Sequence, residues 1–452
     1  MNILLTILIF LFTLIILVAV HECGHFWVAR KMGVRVLRFA IGMGSPIFKF
    51  IGKKDKTEYA LCPIPLGGYV KMLGEDSGEK LSKKDQKESF SHKSVWARIA
   101  IVSAGPIANF ILAIFVLWLM YFIGISGIKP IIGDIAINTP AYSAKLQSED
   151  TITHINNKKT HSWSSTQLLI LEQALKSDKI KITVDRKNEQ SQEFILEIKN
   201  KDILKESQNI LQQLGISVWM PKIKAIIGEV SENSPAAIGG MLSGDTVIKI
   251  NEVKIDLWQD MTKIIQNNPG QELSIMVQRN KNIKTLKITP KIHTTKDKII
   301  GRMGVSIATG ANKFDNLRVK ESYSMVDSLT MALDKTYQLT TLTFKMLGKL
   351  ITGNADLKNV SGPITIAVYA KQSAMMGFDH YLFFVALISL SLGILNLLPV
   401  PILDGGHLMF YIIEAIKGSP VSDKMQIIGQ KIGILLLGSL MILAFYNDIV
   451  RL

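Results

Sequence analysis

The chain has 452 residues, 52 Lys and Arg against 37 Asp and Glu, a net charge of +15 and 48% hydrophobic residues. Its apolar residues are gathered into a few long runs, which is the pattern of an integral membrane protein and not of a soluble globule. The basic excess lacks the aromatic interleaving of a nucleic-acid site and reads as charge flanking membrane spans, so no nucleic-acid partner is expected; the two cysteines, Cys23 and Cys62, leave no disulfide framework.

The first apolar run extends from Ile3 to Ala29. Only Asn2 lies between the initiator and this run, and no small-residue cleavage motif follows it, so the segment is expected to be a retained span and not a signal peptide. Near its end stands HECGH, an instance of H-E-x-x-H. His21 and His25 are four residues apart and project from one helix face, so two imidazoles can reach one zinc ion, with Glu22 within reach of a zinc-bound water as general base. Ionisable groups inside a span are costly unless paired, which favours function over the alternative of three wetted side chains at a helix end. Cys23 points in another direction and is expected to be a small buried thiol; Cys62 is expected to be structural.

After this span come Arg30, Lys31, Arg35, Arg38, Lys49, Lys53, Lys54 and Lys56, with no basic residue before it. The positive-inside rule therefore places the first loop in the cytosol. Within that loop Gly42-Met43-Gly44 and ALCPIPLGGYVKM, from Ala60 to Met72, carry Gly and Pro punctuation unsuited to a helix; taken alone they read as a hairpin. A second span runs from Ile99 to Gly124. Alternation then puts residues near 125–380 outside, the short loop holding Lys417 and Lys424 inside, and the C-terminus outside.

The external region contains an internal repeat. GDIAINTPAYSAKLQSEDTITHIN, from Gly133, aligns with GEVSENSPAAIGGMLSGDTVIKIN, from Gly228, so that Pro140 matches Pro235, Asp150 matches Asp245 and Asn156 matches Asn251. Each copy reads as a strand, a helix start at Pro-Ala, a turn and a strand ending at Asn. The pair resembles tandem PDZ domains, which implies either a peptide ligand added as a strand or a gating role. Glu149 stands in the first turn where the second has Gly244, so the first turn is expected to depart from the second, because Glu tolerates positive φ poorly.

Between the repeat and the next span, Met325, Leu329, Leu333, Leu339, Leu342 and Met346 recur at near-helical spacing. That is an amphipathic helix, packed on a domain or lying on the bilayer. The third span, Leu382 to Leu398, leads into NLLPVPILDGGH. Asp404 is the acid there and would complete a His, His, Asp set, while Pro399 and Pro401 break the helix so that backbone can face a cavity; His407, one residue beyond the Gly-Gly pair, can compete as a ligand but is less favoured. The last span is Ile427 to Tyr446.

HECGH together with Asn396, Pro399, Pro401, Leu403, Asp404 and Gly405 in the N-x-x-P-x-P-x-L-D-G pattern, with the repeat between, resembles the bacterial site-two protease family over nearly the whole chain. The fold so implied is a polytopic α-helical membrane protein with four transmembrane helices, a tandem pair of α/β PDZ-like domains and a membrane re-entrant β-loop. Its parts would be residues 1–127 (two spans, HExxH and the cytosolic loop), 128–220 and 221–310 (the PDZ-like pair), 311–380 (amphipathic helix and linker) and 381–452 (two spans with the LDG motif). The resemblance implies an intramembrane Zn2+ endopeptidase of the bacterial inner membrane, with periplasmic PDZ domains and termini. Its substrates would be single-pass membrane proteins, of the already clipped anti-sigma factor type in a stress response, and remnant signal peptides. It further implies Glu22 as catalytic base, His21, His25 and Asp404 as metal ligands, and contacts to substrate from Asn396, Gly42, Gly44, Gly68 and Asn109 of AGPIANF. SGPITIAVYA, from Ser361, resembles a further family segment. A non-catalytic PDZ scaffold and a metal transporter are the competing readings; both require that Glu22→Gln leave function intact.

Overall fold

Twenty-nine residues, Ile3–Lys31, form helix α1. Along it Thr13, Leu17, Glu22, His25 and Ala29 are buried, a single stripe at helical spacing, whereas Leu4, Leu8, Phe12 and Trp27 are exposed on the other sides. A helix apolar all round with one inward stripe is suited to lipid on its remaining faces. In the computed structural model, residues 3–75, 81–186, 190–198, 210–294, 299–308, 316–353 and 360–451 are described. They divide into two units, Met1–Ile125 with Ser322–Leu452, and Ser126–Glu321.

The loop after α1 folds as a four-stranded sheet. Its strands are β1 (Val36–Met43), β2 (Phe48–Ile51), β3 (Glu58–Leu61) and β4 (Ile64–Met72), in the order β2-β3-β1-β4. Strand β1 runs parallel to β3 and antiparallel to β4, and its register with β4 slips between Ile41 and Met43, where Gly42 takes φ 87°. Val36, Phe39, Val70 and Met72 pack on Ala29 of α1 and Ile101. Strand β4 is an edge strand and lies over α1: a Cβ on Gly68 would stand 2.7 Å from Cγ of Glu22. After a short helix α2 (Lys83–Glu88), helix α3 (Val95–Ile123) begins at the Ser94 cap and carries Pro106. It crosses α1 closely, since a Cβ on Gly24 would lie 2.3 Å from the Ala104 carbonyl oxygen.

In the second unit, β5 (Ile125–Ile128) pairs with β20 (Arg318–Glu321). Between them the chain builds one arrangement twice. The first copy contains β6 (Ile132–Ile135), α4 (Pro140–Ser143), β7 (Thr151–Ile155), β8 (Lys158–Lys159), α5 (Trp163–Lys176), β9 (Lys179–Asp185), β10 (Gln192–Glu197), α6 (Ile210–Leu214) and β11 (Ile216–Val218). The second contains β12 (Ile227–Val230), α7 (Pro235–Ile238), β13 (Thr246–Ile250), β14 (Val253–Lys254), α8 (Trp258–Asn267), β15 (Leu273–Arg279), β16 (Asn282–Ile288), β17 (Lys291–Thr294), β18 (Ile299–Arg302) and β19 (Val305–Ile307). The sheets β10-β9-β7-β8 and β16-β15-β13-β14 share their topology, and each copy has its own buried apolar cluster, around Ile152, Ile180 and Ile182 in one and Val247, Ile275 and Val277 in the other.

The residues aligned by sequence do the same work in both copies. Pro140 and Pro235 open α4 and α7. Buried Asp150 takes Nε and Nη2 of Arg186 at 2.8 Å each, and buried Asp245 takes Nε and Nη2 of Arg279 at 2.6 and 2.7 Å. Asn156 and Asn251 each accept a backbone N–H from the neighbouring strand, Lys181 at 2.7 Å and Ser274 at 2.9 Å. Against expectation, the two turns match: Glu149 sits at φ 74° and Gly244 at φ 88°. The tertiary pairing of the flanking residues overrides the local preference, at a strain of about 1 kcal/mol.

The chain then returns to the first unit. Helix α9 (Met325–Ile351), capped by Ser324, packs through Ala332, Met331, Leu339 and Leu347 on the cluster shared by α3 and the later span. Helix α10 (Pro363–Met376) is followed by α11 (Phe378–Asn396), α12 (Asp404–Lys417) and α13 (Asp423–Arg451). The Asp448 carboxylate of α13 caps α10, accepting from the amides of Gly362 and Ile364 at 2.9 Å and from the Thr365 hydroxyl at 2.5 Å. Among the described residues, α1, α3, α11 and α13 are long and apolar enough to cross a membrane.

Candidate metal centre

Three chemical groups from two distant parts of the sequence meet between α1, α3 and the start of α12. One turn of α1 separates His21 from His25, and their Nε2 atoms stand 3.2 Å apart. Asp404 Oδ2 lies 3.1 Å from His21 Nε2 and 3.4 Å from His25 Nε2. The three atoms make a near-equilateral triangle. Donors bound tetrahedrally to zinc at 2.0–2.1 Å are separated by about 3.3 Å, so this triangle has the size of one face of such a site.

The hydrogen bonding fits a cation as well. Asp404 Oδ2 is buried, and the polar atoms that face it are the two imidazole Nε2 atoms. A carboxylate oxygen turned toward the same centre as two imidazole nitrogens needs positive charge there, which either a proton on a ring or a metal ion between the three groups supplies. His25 Nδ1 is 2.9 Å from the Ile101 carbonyl oxygen. That oxygen can only accept, so Nδ1 carries the proton and Nε2 presents a lone pair to the centre in the neutral ring. The grouping contains His21, His25 and Asp404, whose ligand atoms all lie within 4.8 Å of one another. His407 is not part of it.

Each element places its donor for a local reason. The chain breaks after Asn396, where Pro399 and Pro401 forbid a continuing helix, and α12 restarts with Asp404 in its first turn. There the Gly-Gly pair lets the new helix fold back on the loop: a Cβ on Gly405 would meet the Leu398 carbonyl oxygen at 2.2 Å. Asn396 is half-buried at the end of α11. Glu22, 6% exposed, follows His21 directly and faces Gly68 of β4. Gly42 and Gly44 lie at the far end of that strand pair, against residues 62–64. Asn109, expected near substrate, is fully buried, with Nδ2 3.2 Å from His21 Nδ1. Cys23 is exposed and not the buried thiol expected; Cys62 is buried.

Sequence reading missed two contributors on α3. The Ile101 carbonyl orients His25, and Gly105 makes room for both rings, since a Cβ there would stand 2.2 Å from His25 Nε2 and 2.8 Å from His21 Cε1. The available signal was a glycine followed by proline inside an apolar span, which needs a packing reason.

The family model for peptidase family M50 matches residues 9–440. Regulator of sigma-E protease RseP of Escherichia coli (strain K12) is 39% identical over 444 residues, covering 98% of each chain. The Salmonella typhimurium (strain 14028s / SGSC 2262) protein of the same name is 38% identical over 445 residues, again 98% of each. A Vibrio cholerae protein whose name places it among zinc metalloproteases is 39% identical over 446 residues, with 98% of each covered.

Proposed function

The chain belongs to peptidase family M50 and is a multi-pass membrane zinc metalloprotease, and we propose that it cuts the transmembrane segment of single-pass membrane proteins at the His21, His25 and Asp404 centre. The observation that carries this reading is the triangle of two Nε2 atoms and the Asp404 Oδ2, with sides of 3.1 to 3.4 Å, beside the buried acid Glu22.

His21, His25 and Asp404 would hold Zn2+, which when bound supplies a Lewis acid and an activated water at neutral pH. Glu22 takes the proton from the attacking water and later delivers it to the leaving nitrogen. Asn396 donates a hydrogen bond to the substrate backbone. A helical substrate hides its carbonyls in internal hydrogen bonds, so it must be unwound first, and unwound backbone in lipid needs partners. The sheet β2-β3-β1-β4 is the re-entrant loop, and its edge strand β4 takes the unwound segment by strand addition next to Glu22; Gly68 permits the close approach. Gly42 and Gly44 shape the bulged end of that strand pair.

The two copies within Ser126–Glu321 are PDZ-like modules on the periplasmic side of the inner membrane. They screen substrates by bulk or take a peptide terminus, so that an anti-sigma factor type substrate is admitted after a first clip and remnant signal peptides are cleared. The run of basic residues after α1 supports a cytosolic first loop with both termini outside.

The test is zinc content and cleavage of a transmembrane peptide by wild type and Glu22→Gln, purified in detergent. We expect both to retain zinc and cleavage by the variant to fall by roughly 10²–10⁴-fold, the range for loss of a general base. Cleavage by Glu22→Gln at the wild-type rate would remove the proposal.

A further inference from the structure

One stripe of α3 faces both imidazoles. Ile101, Gly105 and Asn109 recur every fourth residue along it, and each meets a histidine: the Ile101 carbonyl at His25 Nδ1, Gly105 beneath both rings and Asn109 at His21 Nδ1. For His25 the outer nitrogen is satisfied by an acceptor. For His21 the facing atom is Asn109 Nδ2 at 3.2 Å, while Asn109 Oδ1 is buried with no hydrogen-bond partner.

If His21 offers its Nε2 lone pair to a metal, its Nδ1 must carry the proton. Two N–H donors would then face each other in a fully buried position while an amide oxygen stands idle. Amide oxygen and nitrogen differ little in shape, and which faces His21 is decided by the hydrogen bonds it makes. Turning the amide by half a turn gives Oδ1 the Nδ1–H of His21 and removes both conflicts. The backbone of Asn109 is itself fixed, because its carbonyl oxygen accepts from the Ser389 hydroxyl of α11 at 2.8 Å, and both residues are fully buried.

We propose that Asn109 is a positioning residue for His21, its Oδ1 accepting from Nδ1–H and so holding the ring in the tautomer and orientation that leave Nε2 free for zinc. This rests on His21 being a ligand as set out above. It assigns Asn109 to the metal centre and not to substrate.

The test measures the zinc affinity of the full-length protein in detergent by competition with a chromogenic chelator. It compares wild type, His21→Ala, Asn109→Leu and Asn109→Asp. Outer-shell partners of ligating histidines govern roughly 10–100-fold in metal affinity, and Asn109→Leu is expected to lose that much. Asn109→Asp, which can only accept, is expected to stay close to wild type. Wild-type affinity in Asn109→Leu, or a loss in Asn109→Asp as large as in Asn109→Leu, overturns the proposal. Should the Leu variant fail to fold, Asn109→Asp decides: retained affinity supports the acceptor role, and a tenfold loss ends it. Loss of zinc in His21→Ala with full retention in Asn109→Leu leaves the metal centre standing and refutes Asn109 alone, whereas undiminished zinc in His21→Ala refutes the centre itself.

Discussion

Asp245 and Asp404 are both carboxylates taken out of bulk water, and their surroundings differ in one respect. Asp245, 0% exposed, is closed by a two-pronged contact to Arg279 at 2.6 and 2.7 Å, and Asp150 in the other copy is closed in the same way by Arg186. Asp404 Oδ2 instead faces two imidazole nitrogens at 3.1 and 3.4 Å, groups that carry positive charge only if protonated. A buried carboxylate closed by a permanent cation serves the fold; one that faces two imidazoles needs a proton or a metal ion between the groups. The same chemical group is therefore closed by arginine in the duplicated modules and, between the long apolar helices, faces groups that could share a metal ion with it.

Substitutions can break this contrast in order of size. Asp404→Ala should abolish zinc retention and cleavage together and lower Tm only by the stabilisation that bound zinc supplies, so that metal-stripped wild type and the variant melt alike; zinc content, peptide cleavage and a melting curve on one preparation report all three. The reverse is expected of Arg279→Leu. It strands Asp245 as an unpaired buried charge and should destabilise the second module by about 3 kcal/mol, read as protease sensitivity within 221–308, with cleavage of a short transmembrane peptide unchanged. Gly244→Ala sharpens the comparison of the two copies. Nothing lies within 4 Å of a Cβ at that position, so the cost is backbone strain alone at φ 88°, about 1 kcal/mol and a small drop in Tm. Its size estimates what Glu149 already bears in the first copy.

Much of this was legible in the residues. Apolar run length gave the four spans, because a bilayer imposes a fixed helix length. The i, i+4 spacing of HECGH brought two imidazoles together without tertiary information. The constant offset between Gly133 and Gly228 showed a duplicated unit, and Asp150 with Asp245 shows that the match extends to buried contacts. What escaped were features set by one helix against another. The Ile101 carbonyl and Gly105 act on His25 and His21 only because α3 crosses α1 closely at Gly24, and no periodicity encodes that contact. The proline break after Asn396 was visible, but not that α12 restarts at Asp404; the Gly-Gly pair that permits it reads from sequence as a turn. Glu149 misled because local φ preference is weaker than the packing around it. Cys23 misled because burial of a small thiol is the usual outcome in a soluble protein, whereas most of the surface of α1 has no protein cover.

One zinc ion held by His21, His25 and Asp404 is what the proposed chemistry depends on. Zinc-edge X-ray absorption on the purified full-length protein tests it directly. One zinc per chain with four nitrogen or oxygen ligands, two of them imidazole, at about 2.0–2.2 Å is expected. A sulfur shell at about 2.3 Å, a single imidazole, or no bound zinc would contradict it.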